Sequence, residues 1–237
     1  MKRRIKVIIP VATDRWNQYV TIEMGKCADR DTNIDVVNLE RGPESIECFY
    51  DKAYSELTTV EYAENAEEQK YDGVIIYCFS EPGLLGAKEK LNIPVVGLCE
   101  ASLHVASILG RRFTIIHPAP SSLALSHVDY KLDEYGLRPR CASIRFLGIP
   151  VLDLLDKERL EKRLLEESAK ALNEDGADTL VLGCGSMFGA DDIIAKKFRV
   201  PVVVPARASL KICEALIDMG VAQSKLYFAY PPKKLRT

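Results

Sequence analysis

Short apolar runs alternate with longer segments of mixed polarity along the whole chain. The runs are rich in Val and Ile and are bounded by Gly, Pro or charged residues, a pattern typical of strands buried on both faces of a parallel sheet. The predicted strands cover residues 5–11, 34–39, 73–78, 94–98, 113–117, 142–146, 179–184 and 201–204. The predicted helices cover residues 16–30, 45–70, 83–91, 102–109, 122–135, 157–175, 191–198 and 210–219. This alternation predicts the α/β fold class.

The second half of the chain repeats landmarks of the first half in the same order. The matched pairs, each separated by 106 to 108 residues, are Pro10 and Pro118, Gly42 and Gly148, Cys78 and Cys184, Pro94 and Pro201, and Ala101 and Ala208. One long period with two copies indicates a duplicated lobe rather than a solenoid. We therefore predict two similar lobes, each a mostly parallel sheet flanked by helices, related by a pseudo-twofold axis with the active site between them.

Composition and charge disfavour several classes of protein. Hydrophobic residues make up 47% and charged residues 28% of the chain, a balance that allows a core of ordinary size. The formal net charge of -2 and the scattered placement of Lys and Arg disfavour nucleic-acid binding. No apolar run approaches the roughly 20 residues needed to span a bilayer, and the first run is too short for an export signal. We therefore expect a cytoplasmic protein that binds neither nucleic acid nor membrane.

The seven cysteines show neither metal-site nor disulfide spacing. No C-x-x-C pair occurs and the intervals are wide, so most of the thiols are expected to be small buried hydrophobes. His104, His117 and His127 share no metal-ligand spacing. The glycine pattern at 183–189 only weakly resembles a dinucleotide-binding turn, since no acidic residue ends the next strand. We therefore predict no metal and no organic cofactor.

Cys78 and Cys184 lie where a strand ends and a glycine-containing turn opens a helix. Ligands of open α/β sheets bind outside the carboxyl ends of the strands. Backbone N–H groups at such a turn are expected to lower the thiol pKa and to stabilise an enolate, with the hydroxyls of Ser80 and Ser186 as further donors. A matched pair of thiols suits stereoinversion, because one thiolate removes a proton from one face of a carbon while the other thiol protonates the opposite face.

Glu81 is the most notable carboxylate near these turns. It follows Cys78 by three residues and precedes the predicted helix that begins at Gly83. Three roles are open to it on sequence grounds: it orients the turn, caps the helix, or reaches the substrate.

Residues 78–84 read CFSEPGL and residues 183–187 read GCGSM. The first segment resembles the C-F-[GS]-[DE]-P-G-L turn, and the second the G-C-[AG]-[GS]-M turn, of the hydantoin racemase branch of the aspartate/glutamate racemase superfamily. The segments PVVG at 94–97, EAS at 100–102 and DGAD at 175–178 match as well, so the resemblance spans nearly the whole chain. It implies a cofactor-independent racemase or epimerase in which Cys78 and Cys184 are the catalytic acid/base pair.

The resemblance also bears on the substrate. Amino-acid racemases of the superfamily carry Asn-Thr after the first cysteine and Thr after the second, where these groups grip an α-carboxylate. Here the positions are Phe79 and Ser80, and Gly185 and Ser186. The resemblance therefore implies that these four residues bind a neutral or cyclic substrate, such as a 5-substituted hydantoin or allantoin.

One segment departs from the branch pattern. The branch commonly reads N-P-N-[ST] at the end of the first strand, whereas this chain reads PVAT at 10–13. Thr13 is still a candidate substrate-binding donor, as are Ser121 and Ser122 in the second lobe.

The resemblance further implies that the last helix, from about Ser209, packs back on the first lobe. The first lobe would comprise residues 1–99 and 209–237, and the second residues 100–208. We also expect a homo-oligomer that acts on a small molecule.

Three alternatives are open. An amino-acid racemase or a maleate-type isomerase of the same superfamily would be expected to retain groups that grip a carboxylate. A decarboxylase needs only one cysteine, so the paired thiols argue against it. A non-catalytic small-molecule binding protein would have no need to retain two thiols at matched turns.

Overall fold

Two parallel sheets of four strands each organise the molecule, and the structure, a computed structural model, describes residues 2–235. The first half contains β1 (Arg3–Ile9), α1 (Asn17–Gly25), β2 (Thr32–Asn38), α2 (Phe49–Glu68), β3 (Gly73–Ile76), α3 (Leu84–Lys90), β4 (Val95–Gly97) and α4 (Leu98–Leu109). The second half contains β5 (Phe113–His117), α5 (Ser121–Glu134), β6 (Cys141–Phe146), α6 (Lys157–Asn173), β7 (Thr179–Leu182), α7 (Ala190–Phe198), β8 (Val202–Val203) and α8 (Pro205–Asp218). The α/β fold class and the two-lobe architecture are confirmed.

Alternation along β1 explains why its last three residues, Val7 to Ile9, are all apolar. Ile5, Val7 and Ile9 face one hydrophobic cluster, while Ile8 faces another on the opposite side of the sheet. Such burial on both faces is what parallel sheets require, because their crossover helices cover both sides. The first of these clusters continues into the second lobe, where it includes Leu180. The two lobes therefore share one contiguous core.

The strand order places the two thiols at equivalent points. The sheets have the orders β2-β1-β3-β4 and β6-β5-β7-β8, so each chain path reverses direction between its first and third strands. Ligands of open α/β sheets bind at such switch points, beyond the carboxyl ends of the strands. Cys78 follows β3 and Cys184 follows β7, each by two residues.

All sixteen predicted elements occur, and the largest errors concern helix ends. The helix α1 ends at Gly25, five residues before the predicted end. The helix α4 begins at Leu98, directly after β4, and α8 begins at Pro205, four and five residues before the predicted starts. Proline at the first helical position is a recognised start signal because its missing N–H has no helical partner there. Within the described residues, no helix is both long and apolar enough to cross a membrane.

The last helix, α8, lies against the first sheet. It contacts β3 and α1, and a Cβ added at Gly73 of β3 would come within 2.6 Å of the Cys213 sulfur on α8. On the same helix, Glu214 accepts a hydrogen bond from Thr32 at the start of β2, at 2.6 Å. Conversely, α4 contacts β7 of the second sheet. These contacts are those expected if α4 and α8 are exchanged between the lobes. The exact lobe boundaries, after residue 99 and after residue 208, stay a prediction.

Candidate active site

A small cavity of about 50 Å³ contains both thiols. Its walls come from both halves of the chain and comprise Ile9, Pro10, Val11, Trp16, Ser45, Ile46, Tyr77, Cys78, Phe79, Val151, Cys184, Gly185 and Ser186. A larger cavity of about 280 Å³, beside α4 and α8, includes no cysteine in its lining. The pair of reactive side chains therefore selects the smaller cavity as the candidate active site.

The first turn is fixed by the sheet before it and by a glycine after it. Tyr77 donates its backbone N–H to the carbonyl of Ile8 at 2.7 Å, which prolongs the pairing of β1 and β3 up to the thiol. Gly83 then adopts a φ of 73°, in the left-handed region that glycine tolerates best. The chain can thus reverse into α3 immediately beyond Cys78.

The second turn repeats this construction. Gly183 donates its N–H to the carbonyl of Ile116 at 2.8 Å, and Gly189 adopts a φ of 77° before α7. The left-handed glycines, Gly83 and Gly189, are 106 residues apart, as are the two cysteines. Each thiol therefore occupies the same local backbone frame in its own lobe.

Tyr77 and Gly185 join the two turns across the cavity. The Tyr77 hydroxyl donates a hydrogen bond to the carbonyl oxygen of Gly185 at 2.9 Å. A Cβ added at Gly185 would lie 2.5 Å from the Tyr77 ring and 3.0 Å from the side chain of Leu98. The space that a side chain at position 185 would need is thus already filled from the first lobe.

Both thiols have raised pKa values, which corrects the expectation that the turns lower them. Burial is the main cause, and it raises the pKa of Cys184 to about 12. Burial also raises the pKa of Cys78, although hydrogen bonds from Ser80 and from the Glu81 backbone oppose it. The N–H of Ser186 lies 3.5 Å from the Cys184 sulfur. The predicted donors are present, but desolvation of the thiolate outweighs them.

Uncharged side chains make up the described lining of this cavity. Its polar groups are the two thiols, the Trp16 indole, the Tyr77 phenol and the hydroxyls of Ser45 and Ser186. A substrate carboxylate would find no Arg, Lys or His among these lining residues. The cavity is therefore suited to a neutral ligand, because a buried anion requires a paired positive charge.

The structure brings together some of the predicted substrate-binding residues and separates others. Phe79, Gly185 and Ser186 line the cavity beside the thiols, and buried Ser80 hydrogen-bonds to Cys78 from behind. Ser80 is not part of the lining itself, and Thr13, Ser121 and Ser122 also lie outside it.

Each of these three departures has a structural reason. Pro10 and Val11 occupy the wall after β1, and the Thr13 hydroxyl instead accepts a hydrogen bond from the N–H of Arg15 at 3.3 Å. Ser121 and Ser122 are exposed in the first turn of α5. In this conformation these three hydroxyls are not placed to touch a ligand in the cavity.

Sequence reasoning missed two loops that close the cavity. Ser45 and Ile46 come from the loop after β2, and Val151 comes from the loop after β6. Ser45 and Val151 are 106 residues apart, and each follows a member of the repeated pair Gly42 and Gly148 by three residues. That glycine repeat was the signal that could have placed both loops at the site.

Glu81 does not line the thiol cavity. Its carboxylate accepts a hydrogen bond from the backbone N–H of Glu100 at 2.7 Å and lies 3.0 Å from the ammonium of Lys131. The Glu81 side chain therefore caps the first turn of α4. It does not cap α3, the helix after Gly83, which was one of the roles that the sequence left open.

No metal site is formed by the part of the chain that the structure describes. No group of three or more His, Cys, Asp or Glu within residues 2–235 is arranged to hold a metal ion. All seven cysteines are free thiols. The rings of His117 and His127 pack against each other with centroids 5.8 Å apart, and burial lowers their pKa values to about 3 and about 4.

Comparison with known proteins agrees with this architecture. A family model described as Asp/Glu/Hydantoin racemase matches residues 5–213. A hydantoin racemase of Pseudomonas sp. (strain NS671) is 34% identical over 233 residues, covering 98% of this chain and 93% of that protein. A hydantoin racemase of Rhizobium meliloti is 37% identical over 202 residues, covering 84% of this chain and 83% of that protein.

A solved structure extends the likeness to three dimensions. Allantoin racemase from Klebsiella pneumoniae superposes with a TM-score of 0.93 at 34% identity, covering 99% of this chain and 96% of that chain. The resemblance read from the two cysteine turns is thereby confirmed. The chain belongs to the Asp/Glu/Hydantoin racemase family and is an isomerase.

Proposed function

We propose that this protein racemises a 5-substituted hydantoin-like ring by moving one proton between Cys78 and Cys184. The observation that carries the proposal is the placement of two free thiols, from equivalent turns, in one cavity whose lining is uncharged. Similarity to hydantoin and allantoin racemases supports the same class of substrate. The reaction is proposed to require no metal or organic cofactor.

The proposed cycle balances with two protons and no redox change. One cysteine acts as a thiolate and takes the C5 proton, so that the C5–H bond breaks, an S–H bond forms and an enolate develops on the adjacent carbonyl. The opposite thiol then donates its proton to the other face of C5 and becomes the thiolate. Ser186 and the backbone N–H groups of the turns are suited to stabilise the developing oxyanion. The reverse direction exchanges the roles of the two cysteines.

The lining favours a neutral ring over an amino acid. Gly185 cannot be replaced by a carboxylate-gripping side chain without moving Tyr77, and no cationic side chain lines the described cavity. The remaining wall residues include Ile9, Val11 and Ile46, which are apolar. We therefore propose that an apolar group at C5 is accepted better than the polar ureido group of allantoin.

Proton NMR in heavy water tests the reaction class directly. Single enantiomers of 5-benzylhydantoin, allantoin and glutamate are incubated with the protein, and loss of the α-proton signal is followed alongside optical rotation. Exchange accompanied by loss of rotation is expected for the hydantoin, more slowly for allantoin, and not for glutamate. Exchange of glutamate alone would support an amino-acid racemase, and exchange of none would leave a binding protein as the better description. Activity that chelation abolished and added metal restored would contradict cofactor independence.

Serine variants of the two cysteines test the division of labour. A hydroxyl is far too weak an acid to replace a thiol as base near neutral pH, so Cys78→Ser leaves only Cys184 able to abstract a proton. This variant is expected to exchange the C5 proton of one enantiomer without inverting it, and Cys184→Ser is expected to prefer the other enantiomer. Racemisation should fall by roughly 10²- to 10⁴-fold in each. Exchange of the same enantiomer by both variants, or near-normal racemisation by either, would contradict the two-thiol assignment.

A further inference from the structure

The carboxylate of Glu81 is buried and is held by three partners. Glu81 is 2% exposed. One carboxylate oxygen, Oε1, accepts the backbone N–H of Glu100 at 2.7 Å, and the other, Oε2, lies 3.0 Å from the ammonium of Lys131. The hydroxyl of Tyr135 also donates to Oε2. The turn that follows β3 is thereby tied to the first turn of α4 and to α5, which belongs to the second half of the chain.

The backbone around Glu81 is shaped to permit these contacts. Glu81 has a φ of 52°, in the left-handed region that non-glycine residues rarely adopt. A Cβ added at Gly97, just before α4, would overlap the Glu81 carboxylate, so glycine is needed there. Strained backbone and buried charge persist only where the surroundings hold them, and a buried ion pair gives more to a defined geometry than to net stability.

This constrained residue belongs to the same turn as Cys78. The backbone N–H of Glu81 donates to the carbonyl of Cys78 at 3.1 Å, and it is one of the donors near the Cys78 sulfur. The equivalent residue in the second turn, 106 positions later, is Met187, which has no charge. At this position, the Cys78 turn therefore has an ionic tie to the opposite lobe and the Cys184 turn does not.

We propose that Glu81 is a positioning residue, which fixes the Cys78 turn against α5 and so sets where the Cys78 thiol lies relative to Cys184. This inference rests on the proposed racemase function. Glu81 does not line the cavity, and its effect on the reaction passes through Cys78. Loosening the tie should therefore impair the proton transfers of Cys78 and spare abstraction by Cys184.

The variant Glu81→Gln tests this in heavy water, with each enantiomer of 5-benzylhydantoin as the probe. If the Cys78 thiol is displaced, Cys184 still removes the proton that faces it, but the opposite face is not reprotonated. We expect racemisation to fall by at least about tenfold, because a positioned acid or base contributes about 10²- to 10⁴-fold and a displaced thiol loses part of that. One enantiomer should continue to exchange with retention, and it should be the one that Cys78→Ser exchanges. Equal losses of exchange for both enantiomers would mean that Glu81 has only a structural role, and would overturn the proposal.

A matched control and a milder variant accompany this experiment. Glu214 is also a carboxylate that is 2% exposed and ion-paired, to Lys211, but it lies on α8, outside the cysteine turns. Glu214→Gln should leave the ratio of exchange to inversion as it is in the wild-type protein for both enantiomers. Tyr135→Phe removes a single hydrogen bond to Glu81 and should shift the ratio in the same direction as Glu81→Gln, by less. If Glu81→Gln fails to fold, Tyr135→Phe decides the question.

A readout without substrate separates this inference from the proposed function. Iodoacetamide alkylates cysteines, and peptide mass spectrometry resolves the rates at Cys78 and Cys184 within one sample. The ratio of the two rates should change in Glu81→Gln and Tyr135→Phe but not in Glu214→Gln. An unchanged ratio would overturn the positioning role even if the wild-type protein racemises hydantoins. A changed ratio in a protein that exchanges no hydantoin would support the positioning role and reject the substrate.

Discussion

Burial changes the acidity of Cys78 and Cys184, although their place in the two turns can be predicted from the sequence. Each sits in a turn that offers backbone N–H donors, yet desolvation raises both pKa values. The negative charge of a Cys78 thiolate is one of the causes that raise the pKa of Cys184, so the ionisation of one thiol opposes that of the other. At neutral pH both thiols are therefore mainly protonated.

The raised thiol pKa values predict an alkaline rise in activity. The proposed reaction needs one thiolate and one thiol, and the first ionisation is displaced upward from the usual value near 8.5. The rate constant kcat/KM should therefore increase with pH from 6 to 9 and should fall only when the second thiol ionises, near pH 12 for Cys184. Initial rates of racemisation by polarimetry across this range provide the measurement. A flat profile between pH 6 and 9 would show that binding or closure, rather than thiol ionisation, limits the reaction.

Position 185 admits no side chain beside Tyr77. In Gly185→Ala, the new Cβ would lie 2.5 Å from the Tyr77 ring, so the ring or the Cys184 turn must shift. We expect a loss of stability of about 1–3 kcal/mol, typical of overpacking, and a loss of racemase activity of at least about tenfold. The second substitution Tyr77→Leu should recover part of the stability because it removes the ring, whereas Tyr77→Phe should not. Urea unfolding of the three variants measures this, and equal recovery by Leu and Phe would point to the hydroxyl rather than the ring.

At the scale of elements, β5 and α5 carry the buried histidine pair. His117 ends β5 and His127 lies within α5, and Nδ1 of His117 has no hydrogen-bond partner within the described structure. Their lowered pKa values, about 3 and about 4, follow from burial, and the neighbouring His127 ring also lowers the pKa of His117. Both rings are therefore neutral and act as core side chains at neutral pH.

This pair predicts that the protein loses stability in mild acid. The unfolded chain takes up protons at histidine below about pH 6.5, whereas the folded rings do not until about pH 4 or 3. Stability is therefore fully present above pH 6.5 and declines as the pH falls, by on the order of 2 kcal/mol per ring at pH 5. Urea unfolding at pH 7.5 and pH 5.0 should show a smaller decline in His127→Leu, and the exposed His104→Leu provides the control. An equal decline in wild type and His127→Leu would mean that other groups dominate the acid response.

At the scale of the molecule, the shared core joins the two lobes. The larger hydrophobic cluster contains residues of both sheets, among them Ile5 in β1 and Leu182 in β7, which are 0% and 1% exposed. The exchanged contacts of α4 and α8 add further links between the halves. The lobes are therefore coupled through packing as well as through the cavity.

We expect the lobes to unfold in one cooperative transition. Ile5→Ala and Leu182→Ala, one in each lobe, should each lower the free energy of unfolding by about 2–5 kcal/mol and shift the same transition. Trp16, the single tryptophan, lies in the wall of the cavity between the two halves, so its fluorescence reports on their packing, while far-UV circular dichroism reports on the helices and strands of both. Coincident transitions by the two probes are expected. Separate transitions, each moved by only one of the substitutions, would show that the lobes are independent units.

The sequence by itself determined the fold class, the duplication and the two reactive turns. These follow from local patterns: apolar runs that must be buried as strands, glycines that permit reversal, and cysteines placed after matching strands. The repeat carried the same information twice, which is why the equivalence of Cys78 and Cys184 could be predicted.

Only the tertiary structure decided what surrounds these turns. The loops of Ser45 and Val151, the filling of position 185 by Tyr77, and the tie from Glu81 to Lys131 each join residues that are distant in sequence. The direction of the thiol pKa shifts was likewise misjudged from sequence, because desolvation depends on how completely the packed lobes exclude water. Local pattern fixes which groups a turn presents, whereas packing between distant segments fixes their solvation and their partners.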